Sequence, residues 1–266
     1  MEDIIYEEYE ILEIIKEDDG YKLEAVTKKV IAEISLKILV NGEELVSLLC
    51  LNQCQEELAL GFLYSEGVIN SFADVEEITY NERMLAVIVR LREGILINRQ
   101  ESLRSITSGC GKCYTYINPL RQNQYAIIET KTIFSLKTIL NQMKEFIKKS
   151  EIFKDIGGAH SVLFYTPEYK VFNEDIGRHN CFDKITGILL KDGKLNLASN
   201  SVVFVSGRIS SEIMTKIVRL GTPVLVSKST PTSAAVRLAK QYNVTLLGYV
   251  KGDKGFVYSC PEKMEY

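Results

Sequence analysis

The sequence predicts an α/β protein that joins an N-terminal α+β module to a C-terminal three-layer α/β/α domain. Turn-separated apolar strands and one helix occupy the first third of the chain. In the last third strands and helices alternate, and those strands are apolar on both faces, as in parallel sheets covered by helices. A length of 266 residues is enough for two cores. We place the N-terminal module at 1–105, the loop and linker that carry a cysteine pair at 106–130, and the C-terminal domain at 131–266.

The N-terminal module is predicted from turns and apolar periodicity. The segment from Ile4 to Lys29 is acidic and its apolar residues keep no long period, so we predict irregular structure or a short strand. Asn41-Gly42 is a typical hairpin turn between alternating apolar runs. Gly67 follows a helical pattern and is expected to end it. The predicted elements are a hairpin from Ile34 to Leu49, a helix from Gln53 to Tyr64 and a hairpin from Val75 to Leu91.

The C-terminal domain is predicted to begin with a helix that Ser135 caps and that ends at Lys148-Lys149. Asn180 is predicted to cap a second helix, with Asp183 at its third position. The remaining pattern is strictly alternating and predicts right-handed crossovers. The predicted elements are strands His160–Tyr165 and Tyr169–Phe172, helix Asn180–Leu190, strand Ser201–Val205, helix Ser211–Leu220, strand Pro223–Val226, helix Thr232–Tyr242 and strand Val244–Tyr249.

Basic residues follow each of the three predicted parallel strands. Arg208 follows the first strand, Lys228 the second, and Lys251 and Lys254 the third. Ligands of open parallel sheets bind beyond the carboxyl ends of the strands, where helix N-termini also point. In an acidic chain this local basic edge predicts a phosphate or pyrophosphate site. Neither a GxGxxG fingerprint nor a P-loop is present in the sequence, which argues against an ordinary dinucleotide or NTP-hydrolase site.

Cys110 and Cys113 form a CxxC pair. Such a pair can share a metal, close a small disulfide or carry sulfur. Lys112 and the flanking glycines favour the thiolate. Asn118-Pro119 follows within a few residues and excludes a continuous helix, so the pair is expected on a loop rather than at a thioredoxin-type helix start. A loop-borne cysteine suits a carrier better than a fixed redox centre.

A second dense stretch, Glu174 to Lys184, carries seven titratable side chains in eleven residues. Surface capping and ion pairing would explain such a helix start, and so would a functional site. We favour a functional cluster, because Arg178 and His179 fall where an α/β sheet presents its ligands. His160, the other histidine, fits a structural histidine and a ligand equally well.

Charge and composition exclude several classes of protein. The net charge of −3 and the pI near 5.7 argue against a nucleic-acid-binding surface. No apolar run approaches the length of a membrane span, and the acidic start does not resemble a signal peptide. We therefore expect a cytoplasmic protein without a membrane or nucleic-acid partner, whose six cysteines are thiols.

Several ordered motifs resemble the formate dehydrogenase accessory sulfurtransferase family, FdhD, from about Ile34 to Tyr258. The cysteine pair is one of them, and the others are distributed over both parts of the chain. They are Glu57–Leu63 with Ser65-Glu66-Gly67, Gly157–His160, Glu174–Asn180 with Asp183-Lys184, Ser206-Gly207-Arg208, Pro231-Thr232 and Thr245–Tyr249.

The resemblance implies a sulfurtransferase. Family members accept sulfur from a cysteine desulfurase as a persulfide and pass it to molybdenum bis(molybdopterin guanine dinucleotide), a bound substrate, before that cofactor enters formate dehydrogenase. The persulfide cysteine maps onto Cys110, and Cys113 is either a resolving thiol or a group that tunes the pKa of Cys110. The family also implies a homodimer and no permanent metal. The cofactor-contacting residues that we predict are Arg178, His179, Arg208, Ser229, Thr232, Tyr249, Val250, Lys251, Gly252, Asp253 and Lys254.

The family's C-terminal domain is similar to the cytidine deaminase fold. The second cysteine pair of a deaminase zinc site is missing from the sequence, which argues against deaminase chemistry. Two rival functions stay open. Cys50 and Cys54 together with the CxxC pair have spacings that zinc permits, and the CxxC pair alone would serve a dithiol oxidoreductase.

Overall fold

A computed structural model describes residues 5–95, the short strands 105–106 and 114–115, and residues 125–266. Its helices are α1 (Gln55–Ser65), α2 (Leu136–Lys149), α3 (Glu151–Asp155), α4 (Arg178–Lys191), α5 (Ser211–Leu220) and α6 (Ser233–Gln241). Its strands are β1 (Tyr6–Glu17), β2 (Gly20–Ile31), β3 (Ile34–Val40), β4 (Glu43–Cys50), β5 (Val75–Asn81), β6 (Ala86–Leu91), β7 (Ser105–Ile106), β8 (Tyr114–Thr115), β9 (Phe134–Ser135), β10 (His160–Tyr165), β11 (Lys170–Asp175), β12 (Val202–Val205), β13 (Val224–Ser227), β14 (Thr245–Lys251), β15 (Lys254–Ser259) and β16 (Met264–Glu265).

β1 and β2 form a long antiparallel hairpin, paired from Tyr6 with Ile31 to Glu17 with Gly20. The prediction of irregular structure or a short strand for the segment from Ile4 to Lys29 is therefore wrong, because two long strands pair there. The reason is physical, because both faces of this ribbon are largely exposed and Ile14 and Leu23 are 70% and 62% accessible. A strand that buries neither face shows no period-two pattern of apolar residues.

The next sheet has four strands in the order β4-β3-β6-β5, and helix α1 packs on it. Both predicted hairpins and the predicted helix are confirmed. The core between sheet and helix includes Leu36, Ile38 and Val87 from the strands and Leu58 and Leu63 from the helix, all fully buried.

The largest sheet in the described residues has six strands in the order β11-β10-β12-β13-β14-β15. β12, β13 and β14 are parallel, as predicted, and antiparallel strands extend the sheet on both sides. Helices α4, α5 and α6 bury apolar residues on one face, and α2 does so on the other. Helices thus cover both faces of the sheet. The division into domains and the likeness to the cytidine deaminase fold stay predictions.

Helix α4 begins at Arg178 with Gly177 as its N-cap, so the prediction that Asn180 caps it is wrong. The Asn180 amide instead donates hydrogen bonds to Asp175 Oδ1 and to Leu49 O, both at 2.8 Å. Leu49 lies 131 residues earlier in the chain, and local capping patterns carry no information about such a partner.

Helices α1 and α4 cross at two glycines. A Cβ on Gly61 would lie 1.7 Å from Asp183 O, and a Cβ on Gly187 would lie 1.9 Å from Glu57 O. The backbones therefore approach more closely than any side chain allows. This crossing, which we call the α1–α4 junction, connects the four-stranded sheet to the six-stranded sheet.

Candidate functional site

Three loops lie side by side where the parallel strands end. Ser227 Oγ donates to Gly207 O at 2.8 Å, which joins the loop after β13 to the loop after β12. Tyr249 N donates to Ser229 O at 2.8 Å, which joins the loop after β13 to the end of β14. We call residues 206–210, 227–232 and 248–254 the carboxyl edge. The convergence predicted from the strand order is confirmed.

The carboxyl edge presents cations at its surface. Arg208, Lys251 and Lys254 are exposed, and Lys251 is paired with Lys254 in the register of β14 and β15. Lys251 Nζ lies 4.4 Å from the centre of the Tyr249 ring, within the range of a cation–π contact. Asp253 forms an ion pair with Lys144 of α2. The edge thus offers positive charge beside an exposed aromatic ring.

The predicted cofactor segment from Tyr249 to Lys254 has a mixed role in the structure. Tyr249 adopts the left-handed region with φ 57° and is exposed, whereas Val250 is fully buried in the core under α2. Gly252 has φ 61° in the turn between β14 and β15. The side chain of Val250 is therefore a core group and does not offer a binding contact at the carboxyl edge. Such a split follows from the alternation of a strand.

Ser229 and Thr232 shape the middle loop. Ser229 N donates to Ser227 Oγ at 2.9 Å, and Thr232 Oγ1 accepts from Ala235 N at 3.2 Å as the N-cap of α6. Both residues lie at the carboxyl edge, as predicted. Their recorded contacts hold the loop and the helix start in place.

A pocket of about 160 Å³ lies between α2 and the strand ends and was not predicted from the sequence. We call it the His160 pocket. His160 stands at the start of β10, beside the end of β12, because these strands are antiparallel. Ser206 and Lys228 line the pocket from the loops after β12 and β13, and Phe146 lines it from α2. The motif around His160 was visible in the sequence, but its neighbours come from four separate segments.

Arg178 and His179 at the start of α4 approach the same place. A Cβ on Gly207 would lie 3.1 Å from His160 Nδ1 and 3.7 Å from Arg178 Cδ. His179 Nε2 lies 3.0 Å from Glu212 Oε2 at the start of α5, although the two atoms form no hydrogen bond. The buried Nε of Arg178 finds no hydrogen-bond partner in the described ranges. The structure thus brings Arg178 and His179 to the carboxyl edge.

Burial lowers the pKa of His160, and the positive charges of Arg178 and His179 lower it further, whereas Asp175 opposes them. The imidazole of His160 is therefore neutral at pH 7. A neutral imidazole has one nitrogen that donates and one that accepts a hydrogen bond.

The other half of the Glu174–Lys184 stretch is structural. Asp175 and Lys184 form a fully buried ion pair at 2.6 Å, and Asp175 also accepts from Leu51 N at 3.2 Å. Asp183 binds Lys216 of α5 and accepts from Ser65 of α1 at 2.7 Å. These carboxylates tie the N-terminal sheet to the six-stranded sheet. The expectation of one functional cluster is therefore wrong for Asp175, Asp183 and Lys184, and for Arg178 and His179 it stays a prediction.

Cys110 and Cys113 lie outside the described residues. The four described cysteines are free thiols: Cys50, Cys54, Cys181 and Cys260. Cys50, at the end of β4, is fully buried in the core between the four-stranded sheet and α1, and burial raises its pKa to about 12. Over residues 5–95 and 125–266 no cluster of three or more histidine, cysteine or carboxylate side chains has metal-site geometry.

Comparison with known proteins identifies the family. A model of the FdhD/NarQ family matches residues 31–265. The chain belongs to the FdhD/NarQ family. It is 32% identical over 247 residues to the sulfur carrier protein FdhD of Bacillus subtilis, covering 91% of this chain and 93% of that protein. It is 34% identical over 256 residues to the sulfur carrier protein FdhD of Staphylococcus aureus, covering 94% of each.

A solved structure shares the fold of this FdhD/NarQ family member. It is the crystal structure of a protein from Desulfotalea psychrophila described as a formate dehydrogenase accessory protein, with a TM-score of 0.77 and 22% identity. The match covers 97% of this chain and 99% of that one. None of the helices in the described ranges is both long and apolar enough to cross a membrane.

Proposed function

We propose that this protein is the sulfur carrier of a formate dehydrogenase maturation system. It accepts sulfur from a cysteine desulfurase as a persulfide on Cys110 and passes it to molybdenum bis(molybdopterin guanine dinucleotide), its substrate, before that cofactor enters formate dehydrogenase. The observation that carries the proposal is the match to sulfur carrier proteins over nine-tenths of both chains. The cationic carboxyl edge supports it, because a guanine dinucleotide carries phosphates.

The sulfur step needs only thiol exchange. The Cys110 thiolate attacks the terminal sulfur of the donor's persulfide, a new S–S bond forms at Cys110, and the donor cysteine leaves as a thiolate. Lys112 lies between the two cysteines in the sequence and favours the attacking thiolate. Cys113 either attacks Cys110 afterwards, which forms a disulfide and releases sulfide, or only tunes the pKa of Cys110.

The carboxyl edge is the proposed binding surface for the substrate. Arg208, Lys251 and Lys254 supply charge to the phosphates, and the exposed Tyr249 ring offers a stacking surface for a base. Arg178 lies deeper and has a buried Nε without a partner in the described chain, which suits a second phosphate contact. A cytoplasmic homodimer completes the proposal.

Intact-protein mass spectrometry tests the carrier step. The chain is incubated anaerobically with a cysteine desulfurase and cysteine, and wild type is compared with Cys110→Ala and Cys113→Ala. We expect one added sulfur on wild type and none on Cys110→Ala. A disulfide appearing on wild type during release, as a loss of two hydrogens, would assign the resolving role to Cys113. Equal loading of wild type and Cys110→Ala would overturn the assignment of the carrier cysteine.

The position of Cys50 argues against the structural-zinc alternative. Cys50 is completely buried among the apolar side chains of the core on the four-stranded sheet, where a free cysteine is usually a small core residue. Metal analysis of the purified protein tests this directly. Stoichiometric zinc that disappears in Cys50→Ala would restore the alternative.

A further inference from the structure

A cleft of about 400 Å³ lies beside the start of α1 and shares no lining residue with the carboxyl edge. We call it the Asn173 cleft. The segment before β1, the loop before α1, the end of α2 with α3, and strand β11 all contribute to its walls. The lining includes Ile5, Gln53, Lys149, Ile152, Asn173 and Glu174. A volume of this size is within the range of small-molecule sites.

Cys54 lies next to this cleft. Its Sγ accepts a hydrogen bond from Asn173 Nδ2 at 3.4 Å, and its chain neighbour Gln53 is part of the lining. Cys54 is the N-cap residue of α1 and has φ 53°, in the left-handed region. It is partly exposed, whereas Cys50 and Cys181 are fully buried. Among the described cysteines, a solute can therefore reach only Cys54 and the partly exposed Cys260.

Asn173 supplies a polar atom that the chain leaves unpaired. Asn173 is only 8% exposed, and its Oδ1 has no hydrogen-bond partner within residues 5–95 and 125–266. A buried acceptor without a donor lowers stability. The nitrogen of the same amide is bonded to Cys54 Sγ, so a group attached to this sulfur lies close to Oδ1. A ligand that carries an N–H donor would satisfy the unpaired oxygen.

Charges of both signs line the Asn173 cleft. Lys149 is exposed, and its Nζ lies 5.0 Å from the centre of the Phe172 ring. Glu174 Oε1 accepts from the hydroxyls of Ser150 and Ser161, which are neutral groups and do not offset the carboxylate charge. An ammonium group suits Glu174 and the unpaired amide oxygen, and a carboxylate group suits Lys149. These two groups are the ends of an amino acid.

We propose that Cys54 is a thiol-modification site, at which the Asn173 cleft binds an amino acid disulfide such as cystine and keeps one half of it as a mixed disulfide. The Cys54 thiolate attacks one sulfur of the bound disulfide, and a new S–S bond forms at Cys54 Sγ. The other half leaves as a thiolate and takes up the proton that Cys54 has lost. One disulfide replaces another, so the step consumes no further oxidant. The site is independent of sulfur transfer by Cys110.

The test uses the full-length protein with Cys110→Ala and Cys113→Ala, which retains the four described cysteines. The protein is incubated with cystine, the adduct is measured by intact-protein mass spectrometry, and peptide mapping locates it. We expect one cysteinyl adduct, on Cys54, whose rate of formation saturates as the cystine concentration rises. Cys54→Ser should abolish the adduct. Cys260→Ser, the matched control at the other partly exposed thiol, should leave it unchanged.

A pair of lysine variants tests whether the cleft selects the ligand. Lys149→Met removes the charge that meets the ligand carboxylate, so we expect half-saturation to need at least about tenfold more cystine. Lys148→Met, at an exposed neighbour outside the lining, should have no effect. Cystamine, a disulfide that lacks carboxylates, should show no saturation over the same range and no response to Lys149→Met.

Equal rates at Cys54 and Cys260, or a rate at Cys54 that rises linearly with cystine, would overturn the site, because Cys54 would then react as any exposed thiol does. Saturation that is the same for cystamine, or that Lys149→Met leaves unchanged, would overturn the assignment of an amino acid ligand. The carrier proposal stands or falls separately, because its two cysteines are absent from the tested protein.

Discussion

The α1–α4 junction and the carboxyl edge are built on opposite principles. At the junction Gly61 and Gly187 bring two backbones into contact, and beside it the buried charges of Asp175 and Asp183 are paired with Lys184 and Lys216. At the carboxyl edge cations are exposed, and the buried Nε of Arg178 has no partner among the described residues. The first region is satisfied by the chain itself, whereas the second is completed by a ligand in our proposal.

This difference between the two regions separates the charged stretch 174–184 into two parts. Residues 174–184 supply both regions, because helix α4 starts at the carboxyl edge and continues into the junction. Arg178 on its first turn lies beside Gly207 of the carboxyl edge, while Asp183 and Lys184 on the next turn are buried in the protein interior. Density of charge alone does not distinguish binding from packing.

The largest expected effect is at the glycine crossing. Gly61→Ala places a Cβ 1.7 Å from a backbone oxygen of α4, so the helices must separate or the protein must unfold. We expect a loss of about 4 kcal/mol or more in the free energy of unfolding, measured by urea denaturation.

Gly193→Ala is the matched control at the end of α4. Its Cβ would meet nothing within 4 Å, so only the positive φ of 64° is penalised. The expected cost is about 1–2 kcal/mol. Equal losses in the two variants would show that the close crossing is not what makes Gly61 necessary.

The next effect concerns the buried ion pair. Asp175→Asn leaves Lys184 charged and fully buried without its counter-ion, which costs about 3–5 kcal/mol. Glu24→Gln, in the exposed pair with Lys22, should change stability by less than about 1 kcal/mol. Thermal unfolding of both variants measures the difference between their losses of stability. A small loss of stability in Asp175→Asn would mean that the protein tolerates the unpaired charge of Lys184.

The smallest effect is the pH dependence of the His160 pocket. Burial lowers the pKa of His160 most, the charges of Arg178 and His179 lower it further, and Asp175 raises it. Its pKa is lowered by folding, so the unfolded state binds the proton more readily, and stability is lost as the pH falls below about 6.5.

His160→Gln should remove that part of the pH dependence. Urea denaturation of wild type and variant between neutral and mildly acidic pH measures the difference between the two stabilities. The account expects wild type to lose more stability on acidification than the variant. A wild type that gains stability relative to the variant would show that His160 is protonated more readily in the folded state.

The sequence predicted what depends on local pattern. The hairpin at Asn41-Gly42, the cap at Ser135 and the alternating strands and helices after residue 200 are all confirmed, because turns, caps and apolar periods are encoded within a few residues. The hairpin β1–β2 was not predicted, because an exposed two-stranded ribbon has no periodic pattern of apolar residues.

Contacts between residues that are far apart in the sequence could not be predicted either. Asn180 resembles a cap locally, yet its amide is taken by Leu49 O from a distant strand. The same holds for the His160 pocket, whose lining comes from α2, β10 and two loops. The basic edge was predictable because parallel strand ends always meet at one side of a sheet.

The most direct test of the account is formate dehydrogenase activity in cells that lack their own accessory protein and carry variants of this one. The compared variants are Arg208→Met at the carboxyl edge and Asp175→Asn beside the junction, with the amount of soluble protein measured in each. We predict that Arg208→Met loses activation at normal abundance, whereas Asp175→Asn loses it only in proportion to folded protein. Full activation by Arg208→Met, or a loss in Asp175→Asn at normal abundance, would contradict the account.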